Sequence, residues 1–404
     1  MSTWAARLEN PISDRLRSPA ATGYAGIALG AFAAFLAIPP LQARAIYWSI
    51  LVGLLAAILG VWTVSRGRRR IGWGAVAAGL LGIGLGILAT RSSVANLNAV
   101  FDATLIAQSL SFATPLVFAA IGGIFSERSG VVNIGLEGMM LMGAFWGLYG
   151  SDKAGSWAVG LLVAAVAGGA LALVYAFFAI HLRSNQIVGG TAVNFLALGI
   201  TGYFFVQLYH NAAVQSGVPV LPNVNFLSGS HFFGAAIGGL SIMTWASFAL
   251  LIIAYLVLFK TAIGLRIRAC GEHPRAADTV GINVYKLRYI CVTLSGILAA
   301  LGGIYLSLGQ GVEGNGTFQM NMTAGQGFIA LACVIFGNWR PAGAFGAALL
   351  FGFSSALALR LQVYSPQAAV LFQGLPYLLT LITVAGVIGR TEAPAADGRP
   401  YERQ

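Results

Sequence analysis

Apolar runs about long enough to cross a bilayer, roughly 17 to 25 residues each, recur along nearly the whole of this chain. In hydrocarbon each run has to satisfy its own backbone hydrogen bonds, so helices packed into a bundle are the only economical fold. Candidate spans fall at 22–40, 45–65, 71–90, 101–125, 131–150, 155–181, 186–209, 242–259, 289–309, 322–337, 342–360 and 368–388. The expectation is an all-α polytopic membrane protein with about ten to twelve transmembrane segments. Composition agrees, since 58% of residues are hydrophobic and 9% charged, a balance foreign to water-soluble domains. The 53 glycines suit closely packed membrane helices. Runs 131–150 and 322–337 are glycine-rich and follow polar residues, a pattern that fits a broken or re-entrant helix.

Charge sets the orientation. With the N-terminus inside, only Arg44, Arg91, Lys153 and Arg360 of the 23 cations fall outside, and the other nineteen fall on the inner side. That asymmetry follows the positive-inside bias and places both termini in the cytoplasm. It also accounts for the net charge of +11 without a nucleic-acid partner. The polar, basic lead MSTWAARLENPISDRLRSP precedes a first run that lacks a small-residue cleavage site, so a retained span is expected.

No catalytic or metal constellation stands out. The four histidines, His181, His210, His231 and His273, have no partner at ligand spacing, and no Walker A sequence occurs. Cys270, Cys291 and Cys333 show no metal spacing and read as packing residues.

Two polar segments interrupt the apolar pattern. The first, AIGGIFSERSGVVNIGLEGMMLMGAF, turns after Gly122 and Gly123 and restarts a helix, with Asn133 expected as its N-cap. Gly135, Gly138, Gly143 and Gly147 put small residues near one face, as in a helix at a bundle centre. Glu137 within that helix has two readings. It is favoured by the helix dipole near its start and can pair with Arg128, or it serves a solute directly. Asp102 is expected at the outer interface, where water reaches it. The second segment, residues 260–288, carries six cations against Glu272 and Asp278. Pro274 suits a first helical position and Gly281 a helix end, giving a short surface helix. Composition alone leaves that loop either a docking element or an ordinary basic loop at lipid head groups.

Four strings in order, GIFSERSGVVNIGLEGMMLMGAF, GEHPRAADTVGINV, IFGNWRPAGAFGAALLFGF and GLPYLLTLITVAGVIGR with the tail PAADGRPYE, resemble the permease subunits of bacterial ABC importers of the ribose and nucleoside type. SERSGVVNIGLEGMM and the PYE tail most resemble the purine-nucleoside branch. The resemblance implies a type II ABC importer-like helical bundle in the bacterial cytoplasmic membrane. Partners implied are a cytoplasmic ABC ATPase, a second, non-identical permease, and an extracytoplasmic binding protein or lipoprotein. No cofactor is expected on this chain itself, with ATP and Mg²⁺ on the ATPase. It implies a coupling segment in which Glu272, Pro274, Arg275, Ala276, Ala277 and Gly281 match the family pattern. The chain then divides into a cytoplasmic lead 1–21, N-terminal helices 22–95 that exceed a minimal permease, a core 96–389 with coupling loop 260–288, and a cytoplasmic tail 390–404.

A nucleoside needs hydrogen-bonding groups for ribose and base and an aromatic surface for stacking. Asn133 beside Glu137, Asn194 with Phe195, and Gln326 with Phe328 answer that description, although Asn and Gln also bridge packed helices. The uncharged outer stretch 211–241 either receives a binding protein or folds back as a simple loop. Ribose-like sugars remain open as cargo. An ion-coupled secondary transporter is the competing mechanism, and it has only Glu137 to offer as a midplane ionisable group.

Overall fold

The computed structural model describes residues 19–37, 46–91, 102–215, 217–225, 231–310, 315–364, 374 and 392–402. The expected span at 368–388 lies outside these apart from residue 374, as does the lead up to residue 18. The described residues fall into two compact units, one drawn from 1–105 and 357–389 and the other from 106–356 and 390–404.

The first unit holds α1 (Pro19–Ala37), α2 (Ile46–Ser65) and α3 (Arg69–Arg91). Glycines set the α2–α3 contact: a Cβ on Gly60 would lie 2.7 Å from the Gly72 carbonyl oxygen, and one on Gly53 2.7 Å from that of Gly79. The opposite faces present Trp48, Leu51, Ile58 and Trp73, all exposed, as helices immersed in lipid do. Asp102 pairs with Arg360 at 2.6 Å within this unit, and Arg360 also donates to Thr104. The guanidinium thus holds the carboxylate that sequence placed at an interface.

The second unit contains α4 (Ala103–Arg128, which begins at the unit boundary), α5 (Leu136–Ala154), α6 (Trp157–Ala176), α7 (Gln186–Tyr209), β1 (Val214–Gln215) and α8 (His231–Ile237). There follow α9 (Ile242–Lys260), α10 (Ala262–Glu272), α11 (Pro274–Thr279), α12 (Val284–Leu308), β2 (Gly316–Thr317), α13 (Gln326–Phe336) and α14 (Pro341–Tyr364, whose residues from Leu357 onward belong to the first unit). A π-helical turn, Phe177–His181, extends α6. Its core is the packing of α5, α6 and α12. Gly168 and Gly296 face each other so closely that a Cβ on either would sit 2.6 or 2.7 Å from the other's carbonyl oxygen. Gly303 lies against the Met140 backbone, and Gly143 against that of Ala300. Gly143 and Gly147 on α5 therefore face α12, whereas Gly138 lies against Asn194 and Ala197 of α7. The strands pair antiparallel, Val214 with Thr317, at the end of the unit opposite its cation-rich turns. In the 211–241 stretch the chain folds back further through an Asn223–Ser241 bridge.

Seven of the described helices are long and apolar enough to cross a membrane: α2, α4, α6 with its π turn, α7, α9, α12 and α14. Of the two glycine-rich runs, 322–337 yields only a half-length helix, whereas 131–150 yields one continuous helix that starts late. α13 has 11 residues, about 16 Å of rise against a hydrocarbon core of about 30 Å. α5 begins only at Leu136, after Val131–Asn133 runs without helix from a turn at Gly130, where φ is +93°. The 260–288 loop is largely helical, because α10 fills its first half and α12 already begins at Val284.

Candidate functional site

The break between α4 and α5 leaves backbone groups without helical partners inside the bundle, where each must be satisfied by another protein group. The Val132 amide donates to Gln186 Oε1 at 2.8 Å, and the Tyr175 hydroxyl donates to the Val132 carbonyl. Asn194 on α7 works in both directions, with Oδ1 accepting from the Gly138 amide at 2.8 Å and Nδ2 donating to the Ile134 carbonyl at 3.0 Å. Asn133 does not cap the helix. Gly135 occupies the cap position, and the fully buried Asn133 donates to Ser295 Oγ at 3.0 Å across to α12.

Glu137 joins this junction to the half-length helix α13. Its carboxylate accepts from Thr323 Oγ1 at 2.5 Å, from the Gly325 amide at 2.8 Å and from the Gly327 amide at 2.6 Å. These amides belong to the orphan donors at the start of α13. A single buried carboxylate therefore lies in the first turn of α5 and caps α13, where both helix dipoles favour negative charge. The approach requires glycine at 327, where a Cβ would lie 2.5 Å from Glu137 Cα. Arg128, offered by sequence as the partner of Glu137, instead donates to the Trp339 carbonyl at 3.1 Å and lies 3.9 Å from Glu272.

The structure thus gathers Asn133, Glu137 and Asn194 at one junction that α13 joins beside Gln326. In each case where the hydrogen bonds are defined they hold helices together, which is the bridging alternative. Two acceptors are exceptions, because the buried Gln326 Oε1 and the buried Asn133 Oδ1 have no partner among the described residues. Phe195 and Phe328 are exposed side chains.

The second site is the cation-rich end of this unit. α11 starts on Pro274 at its first turn, and Gly281, at φ +85°, turns the chain back toward α12, both as the sequence implies. Ala277 faces inward and packs with Cys270, Val284 and Tyr401. Its methyl therefore anchors the short helix on the body of the unit. Glu272 is likewise engaged, accepting from the Ala395 amide at 3.1 Å. The outward face consists of Arg275, Ala276, Thr279 and the exposed Val280.

Beneath α11 runs the tail segment 392–402. The Ala396 amide donates to the Gly271 carbonyl at 2.8 Å, and Tyr285 donates through its hydroxyl to the Tyr401 carbonyl at 3.1 Å. The buried Arg288 guanidinium donates to the carbonyls of Ser129 at 3.1 Å and Arg399 at 3.2 Å. It thereby ties the tail to the turn that follows α4. Next to it, Trp339 Nε1 donates to Glu127 Oε2 at 2.5 Å. Burial pushes the Asp397 carboxyl up to about 7, against the lowering effects of the Gly398 amide and Arg288. Burial also raises the Cys270 thiol to about 11, in line with a packing role.

Sequence reading missed Thr323, Arg288 and Tyr401. Only the tail motif gave any signal, and it pointed to no contact. Among the described residues no group of three or more His, Cys, Asp or Glu side chains could hold a metal ion.

A bundle of spanning helices with a half-length helix packed inside it and a short helix presented at its charged end has the make-up of a membrane transport subunit. The family described as branched-chain amino acid transport system, permease component, matches residues 105–383, and the chain belongs to it. α1–α3 precede the matched region. The chain is 44% identical over 315 residues to the guanosine ABC transporter permease protein NupQ of Bacillus subtilis, covering 72% of this chain and 94% of the relative. It is 38% identical to the nucleoside ABC transporter permease protein NupC of Lactococcus lactis, covering 74% of this chain and 96% of the relative. A second Bacillus subtilis protein, the guanosine ABC transporter permease protein NupP, is 25% identical across 62% of this chain and 73% of the relative. No solved structure matches the chain significantly.

Proposed function

We propose that the chain is one of two permeases in an ATP-driven importer of purine nucleosides, with both termini in the cytoplasm of a bacterial cell and the bundle in its cytoplasmic membrane. The observation that carries this reading is the likeness over almost the full length of NupQ and NupC, named for guanosine and nucleosides. A non-identical second permease is favoured because one organism has two unlike relatives of this chain, both named for guanosine. In this reading α11 is the coupling helix, with Arg275, Ala276 and Val280 meeting a separate ATPase that holds ATP and Mg²⁺, while this chain binds no cofactor. An extracytoplasmic binding protein or lipoprotein delivers the cargo. Closure of the ATPase dimer pulls on α11, which is rigidly joined to α10 and α12, and so moves the bundle between inward-facing and outward-facing states. Among the named polar residues, Gln326 and Asn133 each keep a buried acceptor that fits a cargo contact.

The test is uptake of labelled guanosine by the assembled transporter in vesicles. Guanosine and adenosine should compete, ribose should not, and uptake should stop when the ATPase loses its nucleotide site. Uptake that survives this loss and collapses with the proton gradient would overturn the reading.

A further inference from the structure

We propose that the tail segment 392–402 is the second wall of the ATPase seat, and that Arg399 contacts a carboxylate-bearing surface of the ATPase beside the coupling helix. The inference rests on the coupling reading of α11 above.

α11 has only six residues and buries only Ala277, so it cannot hold its own position. Its anchor is the cluster of Cys270, Ala277, Val284 and Tyr401, and only Tyr401 in that cluster comes from outside the 260–288 segment. The tail backbone is then pinned at intervals by Gly271, Arg288 and Tyr285, and Glu402 closes on Arg183 at 2.6 Å. A segment fixed at so many points is a built surface.

Between the tail and α11 lies a cleft of about 640 Å³, lined by Glu272, His273 and Arg275 on one side and Arg399, Pro400 and Glu402 on the other. Its charges are not balanced within it. Glu402 is paired with Arg183 and Glu272 lies 3.9 Å from Arg128, and neither of those arginines lines the cleft. Arg275 and Arg399 are exposed and form no ion pair among the described residues. The cleft thus presents two unanswered guanidinium groups next to the helix that the ATPase engages, and a partner offering carboxylates is its electrostatic complement. Arg288 holds Arg399 through the backbone carbonyl, which leaves the Arg399 side chain free for an intermolecular contact.

The experiment measures capture of the ATPase by the tagged permease complex in detergent, at low and high salt, for Arg399→Glu, Arg399→Lys and Val280→Asp. Hydrogen exchange of residues 392–402 confirms that the tail stays docked in each variant. The expected result is about tenfold weaker capture for Arg399→Glu, near-normal capture for Arg399→Lys, and a wild-type affinity that falls with salt. If Val280→Asp abolishes capture while Arg399→Glu leaves it at the wild-type level, the tail is no part of the seat and the inference falls alone. If neither variant changes capture, the coupling reading of α11 falls first.

Discussion

Replacing Glu137 tests whether its carboxylate fixes the half-helix α13 or waits for cargo. The carboxylate answers three donors, and two of them, the Gly325 and Gly327 amides, are backbone groups at a helix start with no other acceptor in reach of their own helix. Thr323 can rotate its hydroxyl elsewhere, so it counts least. In Glu137→Ala the buried Gly327 amide loses its partner at about 1 to 3 kcal/mol, and the part-buried Gly325 amide adds a smaller loss because water can reach it. In Glu137→Gln the carbonyl oxygen can keep Thr323 and Gly325, but the new NH₂ then faces the Gly327 amide, donor against donor. That variant should lose about 1 to 3 kcal/mol. The measurements are the thermal midpoint of the purified complex and hydrogen exchange across 323–329. Exchange at the freed amides should rise about tenfold for each 1.4 kcal/mol of lost protection. A Glu137→Ala protein with unchanged midpoint and unchanged protection would refute the clamp. If transport also failed in that protein, the carboxylate would act on cargo.

Much of the architecture was legible because lipid imposes a simple rule. A run of apolar residues of spanning length has to be a helix, and the expected boundaries of α7 and α9 differ from the observed ones by no more than a residue. The same rule singled out the two glycine-rich runs, since unwound backbone behind polar residues has to find partners, and of the two it is 322–337 that yields a half-length helix. What the sequence could not disclose was who those partners are. Asn194 and Ile134, or Glu137 and Gly325, lie far apart in the chain and meet only through packing, so polar residues at apparent membrane depth looked like a cargo site. Ala277 was ambiguous for a related reason. A small residue in a surface helix suits either a close docking partner or its own core, and only the arrival of Tyr401 from the tail decides which. Arg288 looked like one more cation of a basic loop, whereas its burial serves the carbonyls of Ser129 and Arg399.

Two further perturbations probe the bundle and the tail. Gly303→Ala should lower the thermal midpoint sharply, because the added methyl has to displace the Met140 backbone, whereas Gly199→Ala on α7 has open space and should be neutral or slightly stabilising. Equal midpoints for the two would refute the α5–α12 contact. For the tail, Asp397 is held at about 7 from an ordinary 3.8, chiefly by burial, with Glu127 and Arg288 as its charged neighbours. An acid whose folded value is raised binds more protons docked than free, so tail docking is strongest at low pH and weakens as pH climbs toward 7. Above that value the loss is complete and the dependence flattens. Exchange of the Ala395 and Ala396 amides, corrected for intrinsic rate, should therefore speed up between pH 5.5 and about 7.5. Asp397→Asn, neutral throughout, should remove that rise, and a wild-type tail with the same corrected protection at both ends of the range would show that Asp397 stays ionised when docked.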